Sequence, residues 1–225
     1  MAPPSPPPWP PPCCSPPQPP HAAAHGGSGR RAAGESVTTT LYGAIDALPV
    51  TDEDRTGYLR SAFRHWIDAD KDGCDTRKEV LLAEAVEQPA VGPKCALEGG
   101  TWFSPYDDVV LRDAKQLDVD HLVPLAESWD SGASAWSAKE REAYANDLAE
   151  PRALIAVSAR SNRAKADKDV TDWLPPAAGY MCTYVSDWTA IKTRWGLAVD
   201  PAEAATLHRL AAGCSDTPLT VTLAR

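Results

Sequence analysis

The chain has 225 residues, and 43% of them are hydrophobic, so it is long enough for one domain with a sizeable core. Its formal net charge is −9, which excludes a protein that coats nucleic acid through an overall positive charge. Any contact with a phosphate backbone must therefore come from a local basic patch.

The N-terminal segment, residues 1–36, differs in composition from the rest. Twelve of the 22 prolines lie in its first 20 residues, and small polar residues follow. Such a segment buries too little apolar surface to offset its ordering entropy, so we expect a disordered or polyproline-like tail. It has no apolar run of about 7 to 15 residues, as a signal peptide has, and no stretch of the chain reaches the roughly 20 residues of a membrane span. We therefore predict a tail at 1–36, a domain at 37–225 and no membrane contact.

Two helices are predicted in the first half of the domain. In residues 51–68, TDEDRTGYLRSAFRHWID, apolar side chains recur at helical spacing behind Thr51 as N-cap. Residues 76–86, TRKEVLLAEAV, predict a second, shorter helix. Short β-type runs then alternate with Gly and Pro, which predicts small hairpins at 101–103, 108–112 and 117–120.

The second half predicts further helices around one buried strand. These elements are a helix at 137–148, a strand at 153–157, a helix that begins after Ser158 as its cap, and closing helices at 180–195 and 201–214. The sequence therefore predicts one α+β domain, dominated by helices and monomeric.

The cysteines indicate where the protein is located. Of six cysteines, two lie in the tail and none forms a CxxC pair, which disfavours zinc ribbons. The other four form two local couples, Cys74 with Cys95 and Cys182 with Cys214. Two disulfides, and hence an extracytoplasmic protein, are one interpretation; four buried free thiols are the other.

Residues 68–79, DADKDGCDTRKE, fit the loop formula of a calcium-binding EF-hand between predicted helices. Gly73 occupies the sharp turn, and acids occupy the first, third, fifth and twelfth positions: Asp68, Asp70, Asp72 and Glu79. However, Asp75 stands where an apolar residue is usual, and no second hand is present in the sequence. A Ca²⁺ site, a structural acidic turn and a role beside an active site remain open.

A second set of polar residues follows the order strand, loop, strand, helix. Asp120 and His121 end a predicted strand, Asn146 lies in the connection, and Asn162 lies in the helix after the next strand. Carboxylate and amide oxygens suit a hard divalent cation, and an imidazole beside them can act as a base at neutral pH. The same helix carries the basic residues Arg160, Arg163 and Lys165, which either contact substrate phosphates or form a solvated helix face.

These motifs, read as DVDHLVPL, ANDL and LIAVSARSNRAKADKD, resemble the HNH (His-Me finger) endonucleases. The likeness is greatest to secreted actinobacterial HNH endonucleases related to the C-terminal domain of GmrSD restriction enzymes. It also includes DGCDTRKEVL, TWFSPYDD and DWLPP, and it covers roughly residues 50–215.

The resemblance implies a ββα-metal core at about residues 115–168 and cleavage of DNA. It implies that Asp120 and Asn162 hold one divalent cation, Mg²⁺ or Mn²⁺, and that His121 is the general base. Asn146 would fix the loop that orients His121, although it can equally be the end residue of a helix.

Two other functions remain open. One is a non-catalytic extracellular calcium-binding module built on residues 68–79. The other is a nuclease toxin domain with the proline-rich tail as a delivery linker, although neither a delivery module nor an immunity partner is visible in the sequence.

Overall fold

A computed structural model describes Met1 and residues 32–225 of the protein. Its strands form short antiparallel pairs rather than one continuous sheet. The described residues form four such pairs. The paired strands are β1 Ser36–Thr40 with β8 Pro218–Thr222, β2 Ala90–Gly92 with β3 Ala96–Glu98, β4 Trp102–Ser104 with β5 Val109–Leu111, and β6 Leu117–His121 with β7 Leu154–Ser158.

Seven α-helices within the described residues surround these pairs. They are α1 Leu41–Asp46, α2 Thr76–Ala83, α3 Leu125–Asp130, α4 Ala138–Ala145, α5 Ala159–Lys165, α6 Met181–Trp195 and α7 Pro201–Ala211. None of them has the length and apolar character of a transmembrane segment.

Most helix starts carry the caps that their sequences predict. Ser137 and Glu140 form a reciprocal capping box at the start of α4. The hydroxyl of Ser158 accepts from the backbone of Ser161 at the start of α5, as predicted. Asp200 caps α7, whose first residue is proline. These local hydrogen bonds stabilise the starts of α4, α5 and α7, whereas α6 begins without a side-chain cap.

The helix predicted at residues 51–68 is wrong, because the segment contains only a 3₁₀ turn at Arg60–Ala62. Gly57 and Trp66 have φ angles of 75° and 58°, in the left-handed region that breaks a right-handed helix. Thr51, the predicted cap, instead donates its backbone N–H to Val199 O at 2.9 Å. Phe63 is fully buried among aromatic rings of other elements, so tertiary contacts override the local helical pattern.

The two chain ends of the described domain pair with each other through β1 and β8, which the sequence did not predict. Gly34 N–H donates to Leu223 O at 2.8 Å, so the folded part begins a few residues before the predicted boundary at 37. The rest of the predicted tail, residues 2–31 with Cys13 and Cys14, lies outside the described residues.

Both predicted disulfides are present. Cys74 joins Cys95 with 5.1 Å between the Cα atoms, which ties the start of α2 to the β2–β3 hairpin. Cys182 joins Cys214 with a Cα separation of 5.6 Å, which links the first turn of α6 to the residues after α7. The alternative of four free thiols is therefore wrong.

The unit that positions the candidate site consists of β6, β7 and α5. The two strands pair antiparallel, with His121 opposite Leu154 and Asp120 opposite Ile155. Helix α5 begins directly after β7 and packs on both strands. This order brings the end of β6 next to the side chains of α5.

Candidate active site

A pocket of about 340 Å³ opens where β6 ends beside α5. Its walls come from β6, the turn after it, helix α5 and the 3₁₀ turn at residues 60–62. The lining residues are Arg60, Val119, Asp120, His121, Pro124, Leu125, Asn162, Arg163, Ala166 and Asp167. The structure therefore brings together His121, Asp120, Asn162 and Arg163 of the predicted site.

A hydrogen bond to the backbone fixes the orientation of the His121 ring. Its Nε2 lies 2.9 Å from the carbonyl oxygen of Ala145, and a carbonyl only accepts, so Nε2 carries the hydrogen. The other ring nitrogen, Nδ1, has no hydrogen-bond partner within the described chain. Burial lowers the pKa of His121 to about 3; the Ala145 carbonyl opposes this shift, whereas the charge of Arg60 adds to it. The imidazole is therefore neutral, with an unprotonated Nδ1.

Trp66 covers one face of this imidazole. The two rings stack with their centroids 5.2 Å apart and their planes 28° apart. Trp66 has a φ of 58°, which costs a bulky residue backbone energy, so surrounding contacts must hold it there. The indole thus restricts rotation of His121, and sequence reasoning missed this role because it placed residue 66 within a helix.

Asp120 takes part in a buried hydrogen-bond network. Its Oδ2 accepts from the Lys165 ammonium at 2.6 Å and from the Tyr106 hydroxyl at 2.7 Å. Lys165 also donates to the backbone oxygen of His121 at 3.0 Å. Burial raises the pKa of Asp120 and lowers that of Lys165, and the attraction between the two opposes both shifts. The network fixes the end of β6 and leaves Oδ1 of Asp120 without a protein partner in the described residues.

The prediction that Lys165 contacts substrate phosphates is wrong. Its side chain is 0% exposed and is committed to Asp120. The helical spacing that places Arg163 on the outer face of α5 turns Lys165 inward. The opposite charge of Asp120 and the backbone oxygen of His121 compensate for its burial there.

Asn162 and Arg163 lie on the α5 side of the pocket. The Asn162 amide nitrogen donates to Oδ2 of Asp118 at 3.2 Å, which leaves its oxygen without a protein partner among the described residues. The exposed Arg163 guanidinium lies 3.5 Å from the same carboxylate oxygen. Asp118 therefore orients both side chains. Arg160 is exposed on the same helix but does not line the pocket.

The pocket fits the donor set expected for a hard divalent cation. Asp120 and Asn162 each keep one oxygen that no described residue engages, and both residues line the pocket beside His121. Carboxylate and amide oxygens are the ligands that Mg²⁺ and Mn²⁺ prefer.

Asn146 does not line the pocket. It ends α4, and its side-chain oxygen accepts from Ile67 N–H at 3.1 Å and from the Thr76 hydroxyl at 2.8 Å. Its amide nitrogen donates to the backbone oxygens of Arg64 and Glu142 at 2.8 and 2.7 Å. Asn146 thereby fixes the end of α4, where the neighbouring Ala145 carbonyl holds His121. The interpretation of Asn146 as the end residue of a helix is confirmed, and its role in orienting His121 stays a prediction.

Sequence reasoning also missed Arg60 and Tyr106. Arg60 lines the pocket from the 3₁₀ turn, and the incorrect helix prediction for residues 51–68 hid it. Tyr106, which bonds Asp120, lies in TWFSPYDD, a motif that already contributed to the family resemblance, so a signal for it was present.

The acidic loop at residues 68–79 has part of the expected geometry. Carboxylate oxygens of Asp68, Asp70 and Asp72 lie within 4.8 Å of one another. Burial and then the charges of Asp72, Asp70 and Asp68 raise the pKa of Glu79. Of the two predicted flanking helices, the second is present as α2, which begins at Thr76 within the loop. The first is absent, because the described residues 51–68 contain no α-helix.

Residues 76–210 match a family described as GmrSD restriction endonucleases, C-terminal domain. The chain belongs to this family. The matched range includes β6, β7, α5 and every lining residue of the pocket except Arg60.

A relative of this GmrSD C-terminal domain protein is an uncharacterized secreted protein of Arthroderma benhamiae. The two are 37% identical over 179 residues, which cover 80% of this chain and 85% of the relative. This relative is fungal, so the likeness to actinobacterial proteins stays a prediction. No solved structure gave a significant match.

Proposed function

We propose that the protein is a metal-dependent endonuclease of the HNH type that hydrolyses phosphodiester bonds in DNA, with β6, β7 and α5 as its ββα-metal core. The observation that carries this proposal is the meeting of His121, Asp120 and Asn162 in one pocket, each with an acceptor atom that the described protein leaves free. Membership of the GmrSD family supports a nuclease-related activity. A divalent cation held by Asp120 and Asn162, Mg²⁺ or Mn²⁺, would neutralise phosphate charge and stabilise the leaving alkoxide.

His121 is the general base in this proposal. The Ala145 carbonyl holds the Nε2 hydrogen, so Nδ1 is the atom that takes the proton from the attacking water. A phosphate anion in the pocket would oppose the lowering of the His121 pKa, because nearby negative charge stabilises the imidazolium.

Arg60 and Arg163 are the proposed phosphate contacts. They line the pocket from the 3₁₀ turn and from α5, so their positive charges flank the space beside His121. A local pair of arginines is the kind of patch that an acidic chain needs to bind nucleic acid. Contacts of this type make binding dependent on salt concentration.

An extracellular location follows as part of the proposal. Two disulfides persist in oxidising compartments, and the Arthroderma benhamiae relative is named as a secreted protein. A monomer without membrane contact remains our expectation.

The decisive experiment is cleavage of supercoiled plasmid DNA and of RNA by the full chain with Mg²⁺, Mn²⁺, Ca²⁺ or EDTA. We expect nicking of DNA with Mg²⁺ or Mn²⁺ and its loss in His121→Ala. The variant His121→Gln keeps an amide donor near Ala145 but has no base, so it should be inactive as well. His208→Ala is the control, because His208 lies exposed on α7. Cleavage by folded His121 variants at the wild-type rate would overturn the proposal.

The calcium-binding module remains a second candidate, favoured by the convergence of the Asp68, Asp70 and Asp72 carboxylates. Melting curves with and without Ca²⁺ test it in wild type and in Asp70→Asn. A rise in melting temperature that Asp70→Asn removes, in a chain that cleaves no nucleic acid with any metal, would favour this function over the nuclease.

A further inference from the structure

A second group of acids lies outside the pocket and outside the residue 68–79 loop. Glu53 belongs to two sets of three acids, one with Glu127 and Asp130 and the other with Asp169 and Asp200. Within each set, one carboxylate oxygen of each residue lies within 4.8 Å of the others. We call these five residues the Glu53 cluster. They come from four places in the chain: residue 53 in the irregular segment 51–59, helix α3, the loop after α5, and the N-cap of α7.

Four of these acids use one oxygen for the fold. The other oxygen of Asp130, Asp169 and Asp200 has no hydrogen-bond partner in the described chain, whereas Glu127 also faces the carboxyl group of Glu53. Oε1 of Glu127 accepts from Lys192 at 2.6 Å, and Oδ2 of Asp130 accepts from Arg55 at 2.5 Å. Oδ1 of Asp169 accepts from Thr171 N–H, and Oδ1 of Asp200 accepts from Glu203 N–H, both at 2.9 Å. The fold thus fixes the four side chains through one oxygen each.

Asp130 independently indicates a ligand at this cluster, because one of its carboxylate oxygens has no hydrogen-bond partner in the described protein. The residue is 7% exposed, and its Oδ1 is buried without a hydrogen-bond partner among the described residues. A buried carboxylate oxygen without a partner is costly, and native proteins satisfy such groups with water, an ion or another side chain.

The charge around the cluster is also unbalanced. Arg55 pairs with Asp130, and Lys192 pairs with both Glu127 and the buried Glu203. Glu53, Asp169 and Asp200 form no ion pair within the described residues, so the carboxylates of the cluster repel one another. A divalent cation would relieve this repulsion.

We propose that the Glu53 cluster binds a hard divalent cation, Ca²⁺ by its chemistry, at a site separate from both the active-site pocket and the residue 68–79 loop. All its donors are carboxylate oxygens, and two oxygens bound to one Ca²⁺ at about 2.3–2.6 Å are at most about 5 Å apart, which matches the spacing within each set of three residues. The cation would join the irregular segment to α3 and to the start of α7. Since that segment continues into Arg60 on the pocket wall, the site would stabilise the wall.

The test uses the full chain, stripped of metal with EDTA and free of nucleic acid, so that its outcome does not depend on nuclease activity. Isothermal titration with Ca²⁺ gives the number of ions bound, and melting curves give the stabilisation. We expect Glu53→Gln to remove one bound equivalent and to reduce the Ca²⁺-dependent rise in melting temperature. Glu53 is exposed and engages no hydrogen-bond donor of the described protein, so this variant should fold.

Two matched variants separate the other cation sites. Asp70→Asn alters only the residue 68–79 loop, and Asn162→Ala alters only the pocket, so each should retain the equivalent that Glu53→Gln loses. Equal Ca²⁺ stoichiometry in wild type and Glu53→Gln would overturn the proposal. So would a wild-type melting temperature that does not change when Ca²⁺ is added.

Discussion

The ammonium of Lys165 lies 2.6 Å from Oδ2 of Asp120, with both side chains buried, so the residue predicted to bind substrate instead holds the proposed metal ligand. Replacing Lys165 with Met leaves the buried carboxylate without its opposite charge, which should cost about 3–5 kcal/mol of the free energy of unfolding. Chemical denaturation measures this loss. Lys168→Met, on an exposed side chain of the same region, should change stability by no more than about 0.5 kcal/mol. Similar values for the two variants would contradict the buried ion pair.

Asn162→Ala should raise the Mg²⁺ or Mn²⁺ concentration needed for half-maximal nicking by at least about tenfold, because it removes one of two proposed oxygen ligands. Asn162→Asp keeps an oxygen at that position and serves as the matched variant. Metal titrations of the initial nicking rate compare the two. An unchanged metal requirement in Asn162→Ala would remove Asn162 from the site.

Arg163→Gln should weaken DNA binding and lower the slope of log affinity against log salt by about one, as expected for one lost phosphate contact. Arg160→Gln removes an equal charge from the same helix at a position outside the pocket, so it should change the slope less. Fluorescence anisotropy at several salt concentrations gives both slopes. Equal effects would indicate general attraction to α5 rather than a contact in the pocket.

Asn146→Ala should reduce stability by about 1–3 kcal/mol, because it removes four hydrogen bonds at the end of α4. Because Asn146 fixes the region of the Ala145 carbonyl, kcat should also fall in protein that is still fully folded, with little change in KM. Kinetics well below the melting temperature separate the two effects. A normal kcat with reduced stability would leave Asn146 a purely structural role.

Glu84 should make stability depend on pH. Burial raises its pKa to about 7 from an ordinary value of 4.5, although its carboxylate accepts from Ala156 N–H at 2.9 Å. The folded state therefore binds a proton more tightly than the unfolded state, and this contribution is present below pH 4.5 and lost as pH rises to about 7. Glu84→Gln keeps an acceptor for Ala156 and should flatten the dependence of melting temperature on pH across that window. An identical pH profile in the variant would contradict the shift.

The sequence by itself determined the elements whose signals are local. Capping residues such as Ser137 and Ser158 fix helix starts through hydrogen bonds within three residues. The short apolar run of β7 marks a buried strand. It also determined which residue types meet in the pocket, since Asp120, His121 and Asn162 lie on the elements that it predicted.

Only the tertiary structure decided what each side chain does there. The segment 51–68 has a helical pattern, yet contacts to Asp130, Val199 and Asn146 hold it irregular and bring Arg60 to the pocket wall. Arg163 and Lys165 are two residues apart on one helix. Arg163 lines the pocket, whereas Lys165 is buried and paired with Asp120. Such differences depend on partners more than 40 positions away along the chain, and no local pattern of residues contains their energies.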